Sequence, residues 1–168
     1  MLEIRRAKQE DLGRIMGIYR TAQDYMISAG NATQWGHSFP PAELIQQDIQ
    51  SGICHLIVDD STIHGVFALC EAEEPTYREI HDGAWLNDDP YVTIHRIASD
   101  GIAHGIFHAA VEFAKEQAAN IRIDTHENNL TMQKLIEKYG FVRCGTIFVR
   151  DRSPRIAFQW SAEHREVL

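Results

Sequence analysis

The strongest constraint on the fold lies between Tyr91 and His126. "YVTIHRIA" alternates like a strand, and a short segment containing Gly101, Ala103 and Gly105 follows it. From about Ile102 to Ala119 the apolar residues Ile106, Phe107, Ala110, Val111, Ala114 and Ala118 recur at helical spacing, and "IRIDTH" returns to strand. Strands alternating with helices in this half imply an α/β (α+β) architecture, with a mixed, partly parallel central sheet flanked by helices.

The remaining segments extend the pattern. "LEIRRA" alternates as a first strand, and Leu12, Ile15, Met16, Tyr19, Ala22 and Met26 mark a helix that ends near Gly30. Pro41 suits the first turn of a second helix, "AELIQQDIQSG". "CHLIVDD" and "TIHGVFALCEAE" read as a hairpin turning at Asp59, Asp60 and Ser61. After "IRIDTH" come a short helix, "LTMQKLIEKYG", and two strands, "FVRCGTIFV" and "RIAFQW". The predicted order is βααβββαβαββ.

With 168 residues and no repeat or linker, the chain is expected to form a single domain, 1–168. A net charge of −8 argues against a nucleic-acid or anionic-membrane surface. No apolar run is long enough to span a bilayer, and "MLEIRRAKQEDL" lacks the apolar core of a signal peptide. Cys54, Cys70 and Cys144 are odd in number and widely spaced, which suits a reducing, cytoplasmic setting.

Small residues where a helix begins have two explanations. Gly101 can simply take a left-handed turn. Alternatively, a large anion approaches the backbone there, because a helix N-terminus presents unpaired N–H groups and partial positive charge.

The second explanation gains weight from a resemblance. Gly101 and Ala103 match the glycine and the following Gly/Ala of the acyl-CoA motif of GNAT-type N-acetyltransferases, although Ala98 stands where the motif has Gln or Arg. Asn129, Met132 and the Gly140–Phe141 pair match a second element, with Ile136 at a position often held by tyrosine. Over nearly its whole length the chain resembles that superfamily. The resemblance implies acetyl-CoA as cosubstrate, no metal, and acetyl transfer to an amine of a small molecule or peptide by direct attack on the thioester. Ile97, Ala98, Ser99, Gly101, Ile102, Ala103, His104 and Gly105 would form the cofactor loop, and Asn129 would contact the CoA arm. Asn129 is equally well suited to be a helix N-cap. Asp100 beside a diphosphate would repel it, and His104 and Arg96 are the groups available to offset that charge.

Alternation on the fourth strand puts Thr93, His95 and Ile97 on one face and Ile94, Arg96 and Ala98 on the other. His95 is the first candidate for general base, since imidazole titrates near neutrality. Glu71, on the preceding strand, is the second. Tyr25, Trp35 and Trp85 are candidates to line the acceptor pocket, and Asp82, Asp88 and Asp89 make the segment around Trp85 acidic. Tyr139 lies three positions past Ile136 and is expected to pack at its helix end. His104 and His108 share a helix face but lack a third ligand, so no metal site is expected. The replacements at positions 98 and 136 leave a second reading open, a catalytically silent CoA-binding regulatory domain. The final strands could also pair across a homodimer.

Overall fold

The computed structural model describes residues 1–163. Its elements follow the expected order: β1 (Glu3–Arg6), α1 (Leu12–Ser28), α2 (Ala42–Gln50), β2 (Cys54–Asp59), β3 (Thr62–Cys70), β4 (Val92–Ser99), α3 (Ile106–Gln117), β5 (Asn120–Thr125), α4 (Leu130–Lys138), β6 (Val142–Phe148) and β7 (Pro154–Ser161), with 3-10 turns at Gln9–Asp11 and Pro75–Tyr77. The seven strands form one sheet in the order β1-β2-β3-β4-β5-β7-β6. Every pairing is antiparallel except β4 with β5.

That parallel pairing is brief. It joins Val92 to Ile121 and Thr93 to Arg122, and beyond Thr93 the two strands part. A β-bulge on β4 coincides with the parting. Register with β3 shifts between Val66 and Ala68, and Arg96 adopts φ 51°, a left-handed conformation rare for a side chain of its size.

The bulge corrects the expected alternation. Ile97 packs with Ile94 against the α3-side core, while Ala98 joins the core beneath α1 and α2. Arg96 also turns toward α2. An extra residue on one strand resets which side chain faces which layer, and no simple period-two count can anticipate it.

Apolar stripes on the helices bury themselves on both faces of the sheet. Ile15, Ile18 and Tyr19 of α1 and Ile45 and Ile49 of α2 cover Leu56, Val66 and Ala98. Ile106, Phe107, Ala110, Val111 and Ala114 of α3, with Ile136 of α4, cover Phe67, Ile94, Ile121 and Ile123. Contact between β3 and α3 is especially close at Gly65, where a β-carbon would lie 2.7 Å from Ile106 Cγ2. A third, smaller cluster forms where Tyr77, Trp85 and Tyr91 lie over Ile147 and Ala157. Among the described residues, no helix is long and apolar enough to cross a membrane.

Helix α3 begins at Ile106, four residues after the predicted Ile102. Two left-handed glycines, Gly101 (φ 76°) and Gly105 (φ 81°), delay it, because each reverses the local backbone before helical geometry is reached.

Candidate active site

The parting of β4 and β5 creates a cleft through the middle of the sheet. Thr93 and Arg122 are the last paired residues, so His95 and Asp124 are the next side chains on that face of the two strands. On the other face the corresponding residues are Ile94 and Ile123, both in the α3-side core. The cleft is therefore polar on one side and apolar on the other.

His95 is partly buried, and its Nε2 lies 3.2 Å from Glu74 Oε2. Glu74 is fixed in turn. Its Oε1 accepts from the Thr76 N–H and hydroxyl, and its own N–H donates to the Tyr91 hydroxyl at 2.9 Å. The hydrogen bond from His95 is the main reason that the Glu74 carboxyl falls to about 2, against the opposing cost of burial. Tyr77 donates its hydroxyl to Asp124, and its ring lies 6.3 Å from that of His95. Burial pushes Asp124 above the usual carboxylate range, while the Tyr77 hydrogen bond and the positive character of His95 and Arg155 oppose that shift.

An aromatic clamp secures the segment carrying Glu74 and Tyr77. The Arg122 guanidinium lies 4.1 Å from the ring centres of both Trp85 and Tyr91. It also donates to the Asn87 carbonyl at 2.9 Å, and Trp85 Nε1 donates to the Tyr77 carbonyl at 2.8 Å. Desolvation lowers the pKa of Arg122, and the facing π-systems partly compensate for burying its charge.

At the far end of β4 the turn from Ser99 to Gly105 is folded onto itself. Ser99 Oγ accepts from the Gly101 N–H at 3.0 Å, and Asp100 Oδ1 accepts from the Ile102 N–H at 2.9 Å. Asp100 Oδ2 pairs with His64 at 2.7 Å and Arg14 at 2.9 Å. Against the cost of burial, the bonds from Ile102, His64 and Ala103 hold the Asp100 carboxyl below its ordinary range. The amides of Gly101, Ile102 and Ala103 are thus already occupied. Among the described residues, the N–H groups of Gly105, Ile106, Phe107 and His108 have no acceptor, as expected of a first helical turn. The free amides accordingly lie later in the chain than Gly101–Ala103, on the α3 terminus itself.

Arg14 and His64 pair with Asp100, in place of the expected His104 and Arg96. His104 is exposed on the turn. Arg96 instead makes a bidentate pair with Asp48 of α2 at 2.8 and 2.9 Å, with both partners largely buried. Tyr19 donates to the Arg96 carbonyl at 2.7 Å, which helps to hold the bulge.

The other sequence candidates are dispersed. Glu71 is exposed at the end of β3 and lines a separate 580 Å³ groove with Arg5, His55 and Phe113. It follows Cys70 onto the face opposite His95, so Glu74 occupies the place beside the imidazole that Glu71 was expected to contest. Asn129 is the N-cap of α4: its Oδ1 accepts from the Met132 N–H, and its Nδ2 donates to Gln34 at 3.3 Å. Tyr25, exposed, shares a hydrogen bond with Thr131, and Thr33 bonds His126 at 3.1 Å. These contacts bring the α1–α2 connection against the start of α4. Trp35 packs on Tyr19 at 5.7 Å in the α1-side core, whereas Trp85 belongs to the cluster under the clamp. The two tryptophans therefore occupy different cores.

Ile136 is fully buried, and Tyr139 packs 5.7 Å from Phe107 and 5.1 Å from His108, against the start of α3. Among the described residues, no group of three or more His, Cys, Asp or Glu side chains could hold a metal ion. The three cysteines are free, and burial raises all three thiols, Cys54 to about 12.

The fold has counterparts. A family model described as an acetyltransferase (GNAT) domain matches residues 1–142. A GNAT-family acetyltransferase of Streptococcus agalactiae is 28% identical and superposes with a TM-score of 0.88, over 97% of this chain and 96% of its own. One from Listeria monocytogenes is 20% identical, with a TM-score of 0.70 over 95% of this chain and 94% of its own. The ribosomal-protein-S18-alanine N-acetyltransferase of Escherichia coli is 16% identical, with a TM-score of 0.61 over 100% of this chain and 99% of its own. The latter two bear on the fold alone. No curated protein matches. The chain belongs to the GNAT acetyltransferase family. Its fold is that of an acyltransferase.

Proposed function

We propose that the protein is an N-acetyltransferase that moves an acetyl group from acetyl-CoA to an amine, with His95 as general base and Glu74 as its positioning partner. The observation that carries this reading is the Glu74–His95 pair on the strand that leads, past the parting of β4 and β5, to a row of helix-terminal amides with no acceptor among the described residues.

The residues present fit the cosubstrate. The free N–H groups of Gly105, Ile106, Phe107 and His108 suit a diphosphate, supported by the helix dipole, while Arg14 and His64 pair with the Asp100 carboxylate. Past Thr93, β4 has no ladder partner on its β5 side, so its amides and carbonyls can hydrogen-bond an amide-containing arm laid in the cleft.

The chain's own groups then divide the work. His95 accepts a proton from the acceptor ammonium, and Glu74 stabilises the resulting imidazolium. The freed amine forms a bond to the thioester carbonyl carbon, the carbon–sulfur bond breaks to release a thiolate, and the nitrogen's second proton passes through solvent to that thiolate. Ile136 offers no proton, so the thiolate leaves without an acid on α4. Isothermal titration with acetyl-CoA, followed by thiol release over an amine panel, tests the proposal. Binding with amine-dependent release is expected, and an absence of acetyl-CoA binding refutes it.

A further inference from the structure

Arg155 stands on β7, two residues before Ala157, which pairs directly with Asp124. It therefore projects from the same face of the sheet as Asp124 and His95. The residue is only 8% exposed. Its Nη1 donates to two neighbours in sequence, Ser153 Oγ at 3.0 Å and the Pro154 carbonyl at 2.9 Å. Among the described residues its Nε and Nη2 have no hydrogen-bond acceptor but keep some contact with solvent, and the guanidinium forms no ion pair.

The contrast with Arg96 is direct. Arg96 has a two-pronged carboxylate partner, Asp48, whereas Arg155 has none. A guanidinium is costly to withdraw from water without an anion, and its fork matches a carboxylate in two places. Asp124, the acidic group facing it from β5, accepts from Tyr77, and Asp151 is held by Ser153. His126 also faces Arg155. Its Nδ1 accepts from the Asn128 N–H, so the neutral ring bears its proton on Nε2, toward Thr33. The charge of Arg155 reaches both Asp124 and His126.

The sheet face beside the cleft thus presents proton-accepting groups, His95 and Asp124, and, besides the clamped Arg122, a second buried cation, Arg155, with spare donors. Diagonal same-face positions on neighbouring strands lie roughly 7–8 Å apart, a gap that a ligand with adjacent positive and negative groups can bridge. We propose that the acceptor is a free α-amino acid or a close amino-carboxylate analogue, its amine received between His95 and Asp124 and its carboxylate by Arg155. This rests on the acetyl-transfer reading above. The reaction balances: the ammonium gives one proton to His95, the freed amine bonds the acetyl carbon, the carbon–sulfur bond breaks, and the nitrogen's second proton passes through solvent to the thiolate.

The test measures thiol release from acetyl-CoA with each standard amino acid, paired with the amine that lacks its carboxylate. The best amino acid is expected to exceed its amine by about tenfold or more in kcat/KM, the scale of one charge-assisted hydrogen-bonded contact. Arg155→Met is expected to raise KM for that amino acid about tenfold, without a comparable change for the amine. Arg155→Lys, which keeps the charge and loses the fork, should fall between. Urea unfolding establishes that both variants are folded, and calorimetry gives their acetyl-CoA affinity. Equal or better turnover of the bare amine overturns the proposal, as does an Arg155→Met defect shared by both acceptors, or acetyl-CoA binding with no amino acid turned over. Loss of acetyl-CoA binding in the unaltered protein instead overturns the acetyl-transfer reading beneath it.

Discussion

His95 and Glu74 are 21 positions apart in sequence and meet at 3.2 Å, one from the bulged strand and the other from the segment clamped over it. Neither partner is anchored by its own element alone. Arg122 holds Tyr91, Tyr91 holds the Glu74 backbone, and Glu74 meets the imidazole. If His95 is the base, His95→Ala should lower kcat by roughly 10²–10⁴, as measured by steady-state thiol release with acetyl-CoA affinity unchanged.

The same pair predicts a pH dependence of stability. Glu74 has a folded-state value of about 2, depressed mainly by His95, so its contribution is present above the ordinary carboxylate range. It is lost as pH falls through about 2. Allowing for partial solvent access, Glu74→Gln should cost on the order of 1–3 kcal/mol near pH 6. The gap between wild type and variant should close as pH falls from the ordinary glutamate value toward the depressed one. Urea unfolding across that range reads it directly.

Arg96 and Asp48 make a different prediction, because their pair is buried and bidentate. Asp48→Ala strands the guanidinium beneath α2 and should destabilise the protein by about 3–5 kcal/mol. Replacing both residues with apolar ones should recover much of that loss. Denaturant titration of the single and double variants checks the pattern.

Asp100 separates charge from geometry. Asp100→Asn keeps an oxygen for the Ile102 amide but removes the negative charge facing Arg14 and His64. Acetyl-CoA affinity should rise about threefold at low salt, and the gain should fade at high ionic strength. Asp100→Ala, which frees the loop, should instead weaken binding. Calorimetry at two salt concentrations distinguishes the cases.

Gly105 needs its left-handed backbone, and no neighbour closer than Leu2 Cδ1 at 3.9 Å crowds its missing β-carbon. Gly105→Ala should therefore cost only the conformational penalty, about 1–2 kcal/mol. Its effect on acetyl-CoA binding should be larger than that of Gly101→Ala, since Gly105 caps the free amides. Thermal unfolding and calorimetry on the two variants test this.

Periodicity revealed most of the architecture because helix and strand patterns on this chain are clean. Ile106, Phe107, Ala110, Val111 and Ala114 mark the buried face of α3 whether the helix starts at 102 or 106. The error at its start came from conformation: two left-handed glycines carry no hydrophobic signal. Likewise, the bulge at Arg96 has no signature in side-chain type, so Ile97 was expected on the wrong face. His95 was legible because it is a histidine beside a glycine-bearing turn. Glu74 was not, since a carboxylate in "CEAEEPTYRE" looks like a solvated one until the chain folds back. Asp124 and Arg155 were hidden for the same reason. Their significance depends on which strands adjoin in the sheet order β5-β7-β6, and local spacing does not contain that order.

Gly65 never approaches the cleft, yet it sets a dimension of it. Because the helix seats against a strand position that has only hydrogen there, the height of the α3 terminus above the sheet is set by a missing methyl group. Adding that methyl would lift one end of α3 while β4 stayed in place, changing the span between the helix terminus and the strand that carries His95. A residue with no side chain would thus gauge the length of molecule the cleft accepts.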